Sequence, residues 1–331
     1  MIIFYFTFGL LIFNVLLFFY LHRYCEWKKG TILRICSGVT VLIMLLIYIT
    51  DQQWIFNHLT ETDNYNNITS NQHPVESSKK YKTFTYETSS PNTGKYTAVI
   101  VEPRQHAAMQ FVLNNFMTNL DNDWNFVIFH GTENENYVKD IIDIHLSTYK
   151  NRITLVNMGV KNMTVADYSM MFYEEELYKY IPTETFLVFQ TDSIILKENK
   201  HKIRDFMQYD YVGAPWPKHM GILGKMEVGN GGLSLRKKSK MLSLLPYKEI
   251  AVENGKYGKY LAEDQFFNGY HVRNVNIRRP ALEKAKEFSV ESFFCSQPFG
   301  VHKLWLGVTK NELEYMTQMY PDIATLIKLN K

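Results

Sequence analysis

The chain has 331 residues, of which 46% are hydrophobic and 15% aromatic; this is too apolar for disorder and sufficient to bury a sizeable core. Its 36 Lys and Arg nearly balance 33 Asp and Glu, for a formal net charge of +3. The basic residues are dispersed rather than striped, so no nucleic-acid partner is expected. Three cysteines, Cys25, Cys36 and Cys295, supply neither a disulfide framework nor a zinc-type cluster in the C-terminal two-thirds.

Met1 to Leu21 carries no charged side chain and is long enough to cross a bilayer as a helix. It lacks the basic start and small-residue end of a cleaved signal, so it is expected to be retained. Ile35 to Thr50 is a second uncharged run, and the loop between the two runs (His22 to Gly30) is basic. The positive-inside rule puts that loop in the cytoplasm. Residues 1–50 are therefore expected to form a membrane anchor, a two-helix hairpin in the lipid bilayer, with the rest of the chain luminal or extracytoplasmic. A second run that does not span would reverse the side. Residues 51–95, rich in Asn, Ser, Thr and Gln, read as a flexible stem. Asn67-Ile68-Thr69 and Asn162-Met163-Thr164 fit the glycosylation acceptor pattern.

From Tyr96 onward short β-rich runs alternate with helical ones. Tyr96–Val101 reads as a buried strand. Met109, Val112, Leu113, Phe116 and Leu120 then recur at helical spacing. Trp124–Phe129 is a second strand, followed by a helical face of Val138, Ile141, Ile142 and His145. Arg152–Val156 is a third strand, and a helical stretch runs through Tyr180 until Pro182 ends it. Thr185–Gln190 is a fourth strand. This order predicts an α/β fold, a mostly parallel sheet with helices on both faces. Ligands of such sheets sit beyond the carboxyl ends of the strands.

Five segments carry candidate chemistry. Glu102-Pro103-Arg104-Gln105-His106 follows the first strand, and the Arg104 fork suits a diphosphate or a base, or simply a solvated loop. Thr191-Asp192-Ser193 follows the fourth strand and lies between two apolar runs; a buried carboxylate there needs a partner, and a divalent cation bound to phosphate oxygens is one. Gly229-Asn230-Gly231-Gly232 precedes an alternating Leu233-Ser234-Leu235. Its glycines allow positive φ or close backbone approach, either for a ligand or as a bulge. It is neither a Walker loop nor a dinucleotide fingerprint. Glu263-Asp264 stands at the start of a helix, where a carboxylate serves as a dipole partner or as a general base. Of the two, Asp264 is the expected base, because successive helical side chains diverge by about 100° and only one faces the cleft squarely. Pro298 to Trp305 adds His302 and Lys303 in an aromatic loop.

Taken together, VEPRQH, FQTDSII, YDYVGAPW, VGNGGLSLR, AEDQFF and PFGVHKLW, in this order, resemble an uncharacterised family of GT-A-type glycosyltransferases of the nucleotide-diphospho-sugar transferase superfamily. The resemblance covers residues 96–305 and leaves a C-terminal helical tail, 306–331. It implies a Rossmann-like GT-A domain and a donor site of Glu102, Arg104, Thr191, Asp192, Asn230, Gly231 and Gly232. It further implies Asp192 and His302 as ligands of Mn or Mg, and a catalytic carboxylate in Glu263-Asp264. The usual acidic motif is Asp-any-Asp; here the only carboxylate is Asp192. The expected activity is sugar transfer from a nucleoside-diphosphate sugar to a hydroxyl of a glycan, protein or lipid acceptor, with inversion favoured. The alternatives are a non-catalytic sugar- or nucleotide-binding membrane protein and a nucleotidyltransferase.

Overall fold

Seven segments, most of them rich in β-branched and aromatic residues, pair into one sheet. In chain order the strands of the whole structure are β1 (Thr85–Thr88), β2 (Tyr96–Glu102), β3 (Trp124–His130), β4 (Ile153–Asn157), β5 (Thr185–Phe189), β6 (Ser193–Ile195), β7 (Tyr211–Gly213), β8 (Pro215–Trp216), β9 (Glu227–Val228), β10 (Leu233–Lys237), β11 (Ser289–Val290) and β12 (Gly300–His302). The structure is a computed structural model that describes residues 85–88, 93–217, 227–249, 261–270 and 272–331. All of these belong to one unit, Ser78–Lys331. The predicted membrane hairpin, most of the stem and Asn67 lie outside the described residues. No helix among those described is long and apolar enough to cross a membrane.

The seven-stranded sheet has the order β1-β4-β3-β2-β5-β10-β7. Its four central strands, β4, β3, β2 and β5, are parallel. β10 runs antiparallel between β5 and β7, and β1 adds an antiparallel edge to β4. Five of the seven strands thus share one direction, the mostly parallel arrangement expected from the alternating pattern and Rossmann-like as the resemblance implies. β1 falls within the segment 51–95 and is built from Thr-Tyr-Glu-Thr, a composition that suits a pleated edge.

The pleat divides the core in two. Ala98, Ile100, Phe126, Ile128, Leu187 and Phe189 face one side. Their neighbours Val99, Val101, Val127, Phe129, Phe186 and Val188 face the other. Strands buried on both faces need cover on both, which is why they read as continuous apolar runs. The first side is covered by α1 (Met109–Asn119), by α2 (Glu135–Asp140) with its π-turn Ile141–His145, and by the small sheet β11-β12-β6. The other is covered by α3 (Val165–Phe172), α4 (Glu175–Lys179), α6 (Lys238–Leu244) and α7 (Glu263–Phe267); α5 (Ile203–Phe206) and α8 (Leu282–Phe288) pack on the first side.

Two helical expectations change in detail. The π-turn rotates the chain so that Leu146 completes the apolar face while His145 is exposed. The stretch before Pro182 is two helices rather than one. Thr164 and Asp167 form a reciprocal capping box that starts α3, and the Tyr178 hydroxyl donates to the Phe172 carbonyl that the break leaves open. The C-terminal residues form α9 (Lys310–Met319) and α10 (Asp322–Leu329), and Met316, Tyr320, Ile323 and Leu326 are buried in the first core.

Candidate functional site

The small sheet determines which side chains meet. β12 pairs antiparallel with β6, placing His302 opposite Ser193, and parallel with β11, so that Val290 lies opposite Val301. Continuing that register sets Glu291, just past β11, beside His302. Asp192 occupies the turn that enters β6. Ser193 closes this turn: its N–H donates to the Gln190 carbonyl, and its hydroxyl exchanges hydrogen bonds with the Gln190 backbone. The backbone N–H of Lys303 donates to the Asp192 carbonyl at 2.9 Å, locking the two loops together.

The result is a row of three polar side chains. His302 Nε2 lies 3.1 Å from Asp192 Oδ1, and its Nδ1 lies 3.5 Å from Glu291 Oε1. Lys303 Nζ stands 3.9 Å from Asp192 Oδ2. Burial alone would suppress the His302 charge, but the two carboxylates outweigh it and raise its pKa to about 10. Burial likewise opposes ionisation of Asp192, and His302 overrides this to hold the carboxyl below its usual range. Close as these groups are, Asp192 Oδ1, both ring nitrogens of His302 and Glu291 Oε2 are buried without an aligned hydrogen-bond partner. Such groups ordinarily find one.

Lys303 is the only non-glycine among the described residues with positive φ, at 47°. Strained backbone of this kind persists where the surroundings enforce it, and it concentrates at functional sites. Here β12 and the bond to Asp192 enforce it.

β10 delivers the glycine segment to the same place. It is antiparallel to β5 with Leu233 opposite Phe189, so its N-terminal end lies at the carboxyl end of β5. None of Gly229, Gly231 and Gly232 has positive φ; the described glycines that do are Gly159 and Gly269. Close approach, not handedness, is what these positions require. A Cβ on Gly232 would run into the His302 imidazole, and one on Gly231 into the Glu263 carboxylate and Asp264. Asn230 is buried, and its side chain accepts from the Gly232 N–H at 2.9 Å, holding the bend.

The adjacent carboxylates of α7 part as their helical spacing requires. Glu263 turns inward to a bidentate ion pair with Arg236 of β10, at 2.7 and 3.1 Å. Both partners are buried, and the Arg236 guanidinium lies over the rings of Phe172 and Tyr211. Asp264 stays half-buried and accepts the Gly231 N–H at 3.0 Å. Burial first, and the neighbouring Glu263 charge second, push its pKa up from 3.8 to about 7. Phe266 and Phe267 pack inward against Tyr173.

Beyond β2, Arg104 does not present a free fork. Its Nε and Nη2 donate to both oxygens of buried Glu102, at 2.8 and 2.7 Å, with the guanidinium half-exposed above. Asn134, buried at the start of α2, donates to the carbonyls of Glu102 and Arg104 and accepts the Gly131 N–H, shaping this loop. Thr191 is buried, and its carbonyl accepts from Asn330 just past α10.

The structure therefore brings Asp192, His302, Gly231, Gly232, Glu263 and Asp264 together. Glu291, Arg236, Asn134 and Asn330 were not legible as parts of the site. Each is polar and common in type, and each is recruited by a pairing distant in sequence.

No group of three or more His, Cys, Asp and Glu among the described residues is arranged to hold a metal ion. A two-residue set does fit. Asp192 Oδ1 and His302 Nε2 are unpartnered and 3.1 Å apart. Neighbouring ligands of an octahedral ion at 2.0–2.1 Å are spaced at roughly 3 Å, and phosphate and water oxygens commonly complete such sites.

Residues 152–302 match a family described as "Protein of unknown function (DUF5672)". The match takes in Thr191, Asp192, Asn230, Gly231, Gly232, Glu263, Asp264 and His302, and not Glu102 or Arg104. No curated protein matches the chain in sequence. Among solved structures the chain is similar to the mannosyltransferase PcManGT from Pyrobaculum calidifontis in complex with GDP-Man and Mn2+. The TM-score is 0.37 and the identity 10%, over 62% of this chain. The match spans 60% of the length of that structure.

Proposed function

We propose that the chain is a glycosyltransferase that moves a sugar from a nucleoside-diphosphate sugar to an acceptor hydroxyl. One observation carries the reading: the Gly231-Gly232 bend packs against both His302, which with Asp192 presents buried polar atoms lacking an aligned hydrogen bond, and Asp264, a carboxylate whose pKa stands near 7. The first suits a diphosphate with its cation, and the second suits removal of a proton from a hydroxyl. A carboxylate tuned toward neutrality is an efficient general base.

In this reading Asp192 and His302 hold Mn or Mg, which would neutralise charge on the leaving diphosphate. Lys303 adds a cation beside Asp192, and Arg104, oriented by Glu102, offers its exposed edge to phosphate or base. Thr191, Asn230, Gly231 and Gly232 shape the donor cleft. Gly231 supplies a backbone N–H that holds Asp264 in place, and Asp264 takes the acceptor proton in a single, inverting displacement. Glu263 holds Arg236 in a buried ion pair beneath the glycine bend. Residues 1–50 anchor the chain in the membrane, with the domain extracytoplasmic.

The test is to incubate the full-length chain with a panel of nucleotide sugars and Mn2+ or Mg2+, and to measure released nucleoside diphosphate. One donor should be turned over, and Asp192→Ala should abolish turnover without loss of fold. Turnover that requires a nucleoside triphosphate would overturn the reading in favour of a nucleotidyltransferase. Binding of a donor without release or transfer under any condition would overturn it in favour of a binding protein. Protease added to sealed vesicles should spare the domain; digestion would reverse the topology.

A further inference from the structure

We infer that Glu291 is the positioning residue for His302, accepting the Nδ1 proton so that Nε2 is presented toward Asp192 and the cation. The inference rests on the proposed cation at Asp192 and His302, and adds the residue that makes His302 competent to bind it.

Three observations carry it. First, the register of β11 on β12 places Glu291 alongside His302, on the edge of the ring away from Asp192. The two carboxylates address opposite nitrogens: Asp192 lies at Nε2, and Glu291 lies 3.5 Å from Nδ1. Second, neither ring nitrogen has an aligned hydrogen-bond partner, so no competing acceptor engages Nδ1. Third, the ring has little freedom to choose another orientation. His302 is buried, and Gly232 lies so close to its Nε2, Cε1 and Cδ2 atoms that not even a methyl group fits between.

Without a cation His302 carries both ring protons; with a cation at Nε2 the imidazole would be neutral, offering a lone pair at one nitrogen only, and the hydrogen bond made by the other selects which. Histidine ligands of metals are generally fixed in this way by an outer carboxylate or carbonyl, whose loss typically costs about 10–100-fold in metal affinity. Asp192 cannot fill the role, because it lies on the nitrogen that must stay open. Ser193, opposite His302 in the strand pairing, is engaged with Gln190. Glu291 is the remaining carboxylate in reach of the ring.

The test measures Mn2+ affinity of the full-length chain, from free Mn2+ by electron paramagnetic resonance, in wild type and in Glu291→Ala, Glu291→Gln, His302→Ala and the Glu291→Ala/His302→Ala double variant. Thermal unfolding is followed in parallel to establish that each variant is folded. Glu291→Ala should weaken Mn2+ binding about 10–100-fold. Glu291→Gln, whose amide oxygen still accepts from Nδ1, should retain most of the affinity. In the His302→Ala background the Glu291→Ala change should have no further effect, since a residue acting through another adds nothing once that other is gone. Unaltered affinity in Glu291→Ala, equal losses in the Gln and Ala variants, or additive losses in the double variant would each overturn the positioning role while leaving the cation site standing. Absence of Mn2+ binding by the wild type would overturn both.

Discussion

The pair Glu263-Asp264 shows how neighbouring residues of the same chemistry take different partners. Glu263 is committed to Arg236 in a buried, bidentate ion pair, while Asp264 is half-buried and accepts the Gly231 N–H. Removing one member of a buried ion pair typically costs about 3–5 kcal/mol because the other charge is left uncompensated. Glu263→Gln should therefore lower the unfolding midpoint markedly, while the turnover of the protein that remains folded stays near wild type. Asp264→Asn should do the opposite, lowering turnover about a hundredfold to ten-thousandfold with little change in donor affinity. Steady-state kinetics and thermal unfolding on both variants separate the roles; equal turnover losses would move the base to Glu263. The raised pKa of Asp264 also gives the pH dependence a definite sign. The base works deprotonated, so turnover should rise as pH passes about 7 and level off above it. Stability runs the other way. The fold holds the proton that the unfolded chain releases near 3.8, so this contribution is full below that value and is lost as pH rises through about 7. Asp264→Asn should flatten that decline in a series of unfolding curves.

At the level of elements, two contacts position the short strands that carry the site. Asn115 of α1 binds both backbone groups of Ile195, donating to its carbonyl at 3.0 Å and accepting its N–H at 2.8 Å. This covers the free edge of β6, the strand that Asp192 enters. Asn115→Ala leaves two buried backbone groups unpaired, each costing about 1–3 kcal/mol. It should lower stability by that order and loosen Asp192, read as weaker Mn2+ binding. The second contact is between backbone and ring. Gly232→Ala places a methyl group where the His302 imidazole lies, so the ring must move. Mn2+ affinity should fall steeply while the unfolding midpoint changes less than in Asn115→Ala. An unchanged affinity in Gly232→Ala would show that His302 does not hold the ion in its present orientation.

For the whole molecule, α9 and α10 are part of the core rather than an appendage to it. Met316, Ile323 and Leu326 are fully buried, and the Tyr320 hydroxyl, itself bonded to Asn199, donates to the Ser296 carbonyl. Each buried apolar side chain of this size contributes about 1.5–3 kcal/mol, so four of them rival the entire net stability of a domain, about 5–15 kcal/mol. A chain ending at residue 307 should fail to give a cooperative unfolding transition. Asn330→Ala, which removes the side-chain donor shared by the Thr191 and Leu326 carbonyls, should cost about 1 kcal/mol.

The sequence by itself determined the strands and their alternation with helices. Runs such as Ala98 to Val101 and Phe186 to Phe189 are apolar on both faces, and only a sheet covered on both sides accommodates them. It also located Asp192, the glycine bend, Asp264 and His302, because an acid between apolar runs, or glycines before a strand, are local anomalies. Tertiary structure decided what those residues touch. The glycines lack the positive φ their type allows, and their purpose is visible only once the His302 ring and the Glu263 carboxylate stand against them. Arg104 looked free until Glu102 folded beneath it, and Glu263, in sequence the lesser candidate for the base, proves to be committed to Arg236. Glu291 had no signature at all. Its place beside His302 comes from a two-residue parallel pairing between β11 and β12, and strand register depends on the packing of the whole sheet rather than on either strand's residues.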